Sequence, residues 1–228
     1  MDSLLKNRMS DGLIVLYFTT IVIYSFFVFY DYQPLKGFFG FIRIPVLLLL
    51  YYFTSVKRDY VYFLALFIFQ ITYLLFNKST ETSMFYGALA SVIFRFLMIV
   101  IIYKAIREKE WMLTILAGLP FLFVHLFLID LVKDVISNSI YLWILNGLLT
   151  ALLGGISVSN YYYNPGNKSL WLLISCLFFV VQIGLFFINR FYLKQQIFLQ
   201  LIIIIYGISN FTFYKFMIVK EKEECEPN

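Results

Sequence analysis

Six polar side chains that could bind a ligand lie inside long apolar stretches, and no Asp or Glu lies in the middle of any such stretch. Arginine binds phosphate and carboxylate groups through several N–H donors, and histidine can act as an acid or a base near neutral pH. The residue types therefore predict a site for an anionic group. His125 is a candidate catalytic residue, although a packing role is favoured. The candidate ligand-binding residues are Arg43, Gln70, Arg95, His125, Asn146 and Gln182.

The stretches that carry these residues are predicted to be transmembrane helices. The chain is 62% hydrophobic and 14% charged, whereas a soluble domain is about 25% charged. A helix needs about 20 mostly apolar residues to cross a bilayer. The sequence predicts an all-α polytopic membrane bundle of eight transmembrane helices, in a single domain over residues 1–228, with a charged cytoplasmic tail at 220–228. The predicted spans are residues 12–30, 38–54, 60–76, 84–103, 111–131, 139–159, 169–189 and 196–219.

Basic residues are distributed unevenly between the two sides of the predicted bundle. Eleven Lys and Arg residues fall on the side that carries both termini, and five fall on the other. This bias predicts that both termini lie in the cytoplasm and that the protein is integral to the cytoplasmic membrane, the inner membrane of a bacterium. The net charge of +5 comes from these loops and does not indicate a nucleic-acid partner.

The candidate residues are predicted to share one layer in the outer half of the membrane. Five of the six lie five to seven residues from the outer ends of their predicted spans, about 8–11 Å deep, and Arg95 lies deeper. The nearest acidic residue is Asp130, at the end of the fifth span. We expect a wet cavity that holds the phosphate of a membrane lipid or lysolipid. Two alternatives stay open: Arg95 caps backbone carbonyls or faces a crevice without a ligand, and Gln70 and Gln182 form interhelical hydrogen bonds.

Other features exclude some classes of site. One histidine and one buried cysteine cannot form a usual zinc site, so no metal and no cofactor is predicted. Small residues recur at four-residue spacing in the sixth span, at Gly147, Ala151 and Gly155. Such a face lets a neighbouring helix approach closely. We favour packing within the bundle over a homo-oligomer through this face.

Several short motifs from about residue 38 onward are similar to those of one membrane-protein family. They include Asn189-Arg190-Phe191 in the seventh span, Arg43-Ile-Pro45 in the second, and Gly87 followed eight residues later by Arg95. In these features the chain resembles the YhhN family of lysoplasmalogenase-like proteins. The resemblance implies an eight-span fold, and activity on the vinyl-ether bond of lysoplasmalogens.

The chain departs from that family where its chemistry is expected. The family carries two intramembrane aspartates that are taken as the catalytic pair, and Ile71 and Ile183 occupy their places here. Hydration of a vinyl ether needs an acid and a base, and isoleucine is neither. The resemblance therefore implies a lipid- or lysolipid-binding protein that has lost the hydrolytic site. The alternatives are an active hydrolase that uses His125, with Arg43 and Arg95 holding phosphate, and a small transporter or channel.

Overall fold

Eight α-helices account for most of the chain. The computed structural model describes residues 2–78, 80–106 and 110–225. Each helix contains a stretch long and apolar enough to cross a membrane, as an integral membrane protein requires. The all-α class and the eight predicted spans are thus confirmed. The helices are α1 (Asp2–Phe29), α2 (Gln33–Thr54), α3 (Tyr60–Asn77), α4 (Glu81–Ala105), α5 (Trp111–Val132), α6 (Ile140–Tyr163), α7 (Asn167–Phe187) and α8 (Gln196–Cys225).

Two of these helices extend well beyond the predicted spans. Helix α1 begins at Asp2, ten residues before the predicted start, because polar residues can continue a helix beyond an apolar span. Helix α8 continues to Cys225, so residues 220–225 belong to a helix and are not a separate tail. The prediction ended this span before the run of charged residues that begins at Lys220. Lys220 and Glu221 are nevertheless buried. Residues 226–228 of the predicted tail lie outside the described residues.

The helices alternate in direction, so that the two ends of the bundle have distinct loops. The end of α8 meets the α2–α3 loop, where Lys220 lies 3.1 Å from Asp59. At the opposite end, the side chain of Gln196 donates a hydrogen bond to the Phe29 carbonyl at 3.0 Å. We call the end that holds Asp2 and Cys225 the terminal end, and the opposite end the distal end.

Small residues bring α5 and α6 into close contact. A Cβ atom added at Gly118 would lie 2.9 Å from the Ala151 carbonyl oxygen, and one added at Gly155 would meet the Thr114 carbonyl oxygen. A Cβ atom added at Gly147 would meet the ring of His125. The predicted packing of this face within the bundle is therefore confirmed. Because α5 covers the face, it is not free for the homo-oligomer considered as the alternative.

The apolar interior is divided into two clusters. The larger cluster fills the middle and terminal part of the bundle and includes Leu47, Phe94 and Phe216. The smaller one lies at the distal end, where Trp143 of α6 packs against Phe187 of α7. A π-helical segment, Ile188–Tyr192, follows α7 directly and continues this distal cluster. The candidate polar residues border these two apolar clusters.

Candidate functional site

The six candidate residues do not meet in one cavity. Arg43, Gln70, Arg95, His125 and Asn146 are buried, and Gln182 is partly buried. Their contacts nevertheless divide them between different sides of the bundle. One group surrounds Arg95 on α4, α5 and α6, and a second surrounds Arg43 on α1, α2, α3 and α8. The prediction of a single layer that converges on one ligand is therefore not met.

The first group is a hydrogen-bonded network between α4 and α6, which we call the Arg95 network. Nε of Arg95 donates to the Thr150 hydroxyl at 2.8 Å. Nη1 of Arg95 donates to the Ser91 carbonyl at 3.2 Å and also to the Ser91 hydroxyl. The Ser91 hydroxyl donates to Oδ1 of Asn146 at 3.5 Å, and the Thr150 hydroxyl donates to the Asn146 carbonyl at 2.6 Å. Every acceptor in this network is a neutral oxygen.

His125 of α5 borders the Arg95 network. It is close enough to Arg95 for an electrostatic interaction. Its Nε2 atom is buried and has no hydrogen-bond partner among the described residues, and the same is true of Nδ2 of Asn146. The network thus offers one unused amide N–H group and one unused ring nitrogen, which donates or accepts according to the tautomer of the ring.

The second group is an arginine enclosed by aromatic rings, which we call the Arg43 cage. The guanidinium carbon of Arg43 lies 4.3 Å from the ring centre of Tyr24, 5.2 Å from that of Tyr73 and 4.7 Å from that of Tyr206. Its Nε atom donates to the Gly40 carbonyl at 3.2 Å. A side chain at Gly40 would overlap the Tyr73 hydroxyl, so this position requires glycine for the close approach.

Gln70 is buried on α3. The preceding residue, Phe69, stacks on Phe94 of α4 at 4.6 Å, and Tyr73, three residues later, contacts Arg43 of α2. Both polar atoms of the Gln70 amide are buried and lack a partner among the described residues.

A stack of aromatic rings separates the two groups. Phe69 lies between Tyr206 of the Arg43 cage and Phe94, at 4.5 Å from the former and 4.6 Å from the latter. Phe179 of α7 closes the stack from the edge, at 5.8 Å from Phe94. Phe94 directly precedes Arg95 in the chain. An anion bound on one side of this stack would therefore not contact the arginine on the other side.

The remaining positions of interest lie apart from both groups. Oε1 of Gln182 and Oδ1 of Asn189 are buried without a partner in the part of the chain that the structure describes. Ile183 is buried in the distal apolar cluster, and Ile71 is partly buried. The Asn189-Arg190-Phe191 motif falls in the π-helical segment after α7.

Acidic residues and cavities lie elsewhere. Among the described residues, no carboxylate lies within 4.0 Å of Arg43 or Arg95, and Asp130 pairs instead with Lys133 at 3.0 Å. No group of three or more potential metal ligands occurs in those same ranges. One cavity lies between α4, α5 and α6 near the terminal end, and an apolar groove runs between α1 and α8. Neither is lined by any of the six candidates.

Comparison with known proteins adds no assignment to this geometry: no family model, no curated protein and no solved structure matches the chain.

Sequence reasoning missed the partners that complete each group. Ser91 stands four residues before Arg95, on the same face of a helix, so this spacing could have identified it. Thr150 stands four residues after Asn146, which is a comparable signal. The cage tyrosines carry no local signal, because the chain has 18 tyrosines and the three that surround Arg43 come from three different helices.

Proposed function

We propose that the protein is an integral membrane protein that binds the phosphate-bearing headgroup of a lipid or lysolipid at the Arg95 network. The observation that carries this proposal is a buried guanidinium whose hydrogen-bond partners are all neutral. Neutral oxygens satisfy N–H groups but do not neutralise the charge. An arginine at the centre of a bilayer costs at least about 2.5–3.5 kcal/mol on insertion scales. A phosphate supplies the missing negative charge.

The unused polar atoms match the chemistry of a lysolipid. Nδ2 of Asn146 is an N–H donor and complements the phosphate oxygens beside Arg95. Nε2 of His125 can accept a hydrogen bond, and a lysolipid carries a free glycerol hydroxyl that a diacyl lipid lacks. Asn146 lies six residues after Ile140, the first residue of α6, and His125 lies seven before Val132, the last of α5. Both are about 10 Å from the distal end. The headgroup would thus bind near the distal interface.

The route proposed for the headgroup lies between α5 and α7. Helix α5 is the least enclosed of the eight, with 22% of its most apolar stretch buried, against 61% for α6. A Cβ atom added at Gly184 of α7 would find its nearest neighbour, Leu128 of α5, at 3.7 Å. This contact is looser than those that α5 makes with α6. Separation of α5 from α7 would open the network to the bilayer.

A direct test compares lysolipid binding by the wild type and by Arg95→Gln, both purified in a mild detergent. We expect the wild type to prefer a lysophospholipid over an uncharged monoacylglycerol of the same chain length. Arg95→Gln should lose this preference, because it retains hydrogen-bonding atoms but not the charge. Native mass spectrometry measures the bound fractions of both ligands in one sample.

The matched control for that test is Lys133→Gln, which removes an exposed cation from the loop after α5. It should bind as the wild type does. Equal preference for the phosphate-bearing ligand in the wild type and Arg95→Gln would refute the proposal. So would the absence of any preference in the wild type.

Hydrolysis is not part of the proposed function. The chain resembles the YhhN family in its motifs, but Ile71 and Ile183 offer no titratable group where that family carries aspartates. We therefore expect purified protein to release no aldehyde from a lysoplasmalogen. Aldehyde release that is abolished by His125→Ala would replace the binding function with a hydrolase.

We further propose that both termini lie in the cytoplasm and that the membrane is the inner membrane of a bacterium. The support is the excess of Lys and Arg at the terminal end, since cytoplasmic loops are enriched in these residues. Green fluorescent protein fused after residue 228 should fluoresce, and alkaline phosphatase fused at the same point should be inactive. An active phosphatase fusion would reverse the orientation.

A further inference from the structure

We infer that the Arg43 cage is a second and separate binding site, for a small monovalent anion of the size of chloride. The site is closed by α1, α2, α3 and α8, and it does not depend on the function proposed for the Arg95 network. Three observations carry the inference: the enclosure of the charge, the unused donors around it, and the separation of the two arginines.

The charge of Arg43 is more completely enclosed than that of Arg95. Arg43 is 2% exposed, and three tyrosine rings lie within 5.2 Å of its guanidinium carbon. Aromatic faces stabilise a cation, but they do not neutralise it. No carboxylate lies within ion-pair distance among the described residues. A buried charge without a partner is costly, so a compensating anion stabilises this arrangement.

Unused donors point to the kind of ligand. Nη1 of Arg43 and the hydroxyl of Tyr206 are buried and have no hydrogen-bond partner among the residues that the structure describes. Each can donate a hydrogen bond, and Tyr206 and Arg43 are in direct contact. Donors gathered around a positive charge select an anion over a cation.

The size of the enclosure selects a small anion over a lipid headgroup. Rings from α1, α3 and α8 cover the guanidinium, and the hydroxyls of Tyr73 and Tyr24 are hydrogen-bonded to each other at 3.3 Å. A phosphate ester with an attached glycerol would have to displace these rings. A single halide ion needs to contact only Nη1 and the Tyr206 hydroxyl.

The aromatic stack makes the two sites independent. Tyr206, Phe69 and Phe94 lie ring on ring between the Arg43 cage and α4. Loss of a ligand from the Arg95 network therefore leaves the contacts of Arg43 unchanged. The two proposals can fail separately.

Chloride-dependent stability tests the inference. The unfolding midpoint of the purified protein is measured over a series of chloride concentrations, with gluconate replacing chloride at constant ionic strength. A ligand that binds only the folded state raises the midpoint by mass action. We expect chloride and bromide to raise it. Tyr206→Phe should weaken the apparent chloride affinity about tenfold, as expected for one lost hydrogen bond to a charged partner.

The matched control is Tyr62→Phe, which removes another buried hydroxyl without a described partner. Tyr62 lies eleven residues before Tyr73 on α3, about 16 Å along the helix axis. It should keep the wild-type chloride response. Arg43→Gln should abolish that response, and if this variant does not fold, the comparison of Tyr206→Phe with Tyr62→Phe still decides the question.

The inference is overturned if chloride and gluconate give the wild type the same midpoint. It is also overturned if Tyr206→Phe responds to chloride as the wild type does, since a general salt effect would then account for the shift. Equal loss of the response in Tyr206→Phe and Tyr62→Phe would overturn it as well, because the hydroxyl near Arg43 would have no special role.

Discussion

Replacing Glu221 with leucine should release the end of α8 from the loop between α2 and α3. Glu221 is 2% exposed. Its Oε2 atom accepts hydrogen bonds from the Ser55 hydroxyl at 2.7 Å and from the Val56 backbone N–H at 3.0 Å. Its Oε1 atom accepts a hydrogen bond from the Tyr51 hydroxyl. The Lys57 backbone N–H donates to Oε2 at 3.4 Å, so one carboxylate holds four donors that belong to a different part of the chain.

The cost of this substitution follows from those donors. A buried donor left without a partner costs about 1–3 kcal/mol, and breaking a buried charged network costs about 3–5 kcal/mol. The Val56 N–H lies in a loop and can regain a water molecule, which places the expected loss at the lower end. We expect Glu221→Leu to lower the free energy of unfolding by about 3 kcal/mol. Glu221→Gln keeps one acceptor and the side-chain shape, so its loss should be about 1 kcal/mol.

Cys176 provides the assay, because it is free and fully buried. Its thiol becomes reactive towards a maleimide dye only when the bundle opens. Cys225 is exposed and would react at once, so Cys225→Ser serves as the background for all variants. Labelling of Cys176 is followed as sodium dodecyl sulfate is added to protein in a mild detergent, and the midpoint reports stability.

Glu223→Gln is the matched control, since Glu223 lies on the same helical turn but its side chain is 50% exposed. Exposed ion pairs contribute about 0–1 kcal/mol, so this variant should unfold almost as the wild type does. If Glu221→Leu and Glu223→Gln unfold at the same midpoint, the buried carboxylate does not hold the two segments together. A larger loss for Glu221→Gln than for Glu221→Leu would also contradict the reasoning.

Three other substitutions can be tested by the same assay. Gly155→Ala should destabilise the protein by about 1–3 kcal/mol, because the new Cβ meets the backbone of Thr114. Gly184→Ala should be neutral or slightly stabilising, because the nearest neighbour of its new Cβ lies at 3.7 Å. Equal changes in stability for these two variants would refute the close α5–α6 contact. The hydrogen bond with Asp130 raises the pKa of exposed Lys133. The ion pair therefore forms at pH values below the ordinary lysine pKa, and its contribution to stability is lost only in alkaline solution. Because solvent screens the pair, Asp130→Asn should leave the midpoint at pH 7 unchanged.

The positions of the helices were predictable because the bilayer imposes a length and an apolar composition on each span. The predicted spans at 60–76 and 111–131 agree with α3 and α5 to within one residue at each end. The prediction ended the last span at residue 219, whereas α8 continues to Cys225 and its residues Lys220 and Glu221 are buried. Glu221 is buried because donors more than 160 positions away in the chain satisfy it, and no local pattern records such partners.

The candidate site residues also show what local sequence patterns do not predict. Counting residues along a helix gives depth, and it correctly drew attention to buried polar residues on five helices. Depth does not give the direction in which a side chain points around its helix axis. Arg43 contacts tyrosine rings of α1, α3 and α8, whereas Arg95 contacts Thr150 of α6.

Apolar composition alone therefore predicts eight helices that are long and apolar enough to cross a membrane, because the free energy of placing a span in lipid depends on its own residues. Which polar groups become neighbours depends on how α1 to α8 pack and rotate against each other. That packing places Arg95 and Asn146 in one hydrogen-bonded network and Arg43 in a separate aromatic cage. It also satisfies Glu221, because contacts between distant segments are formed only when the whole chain has folded.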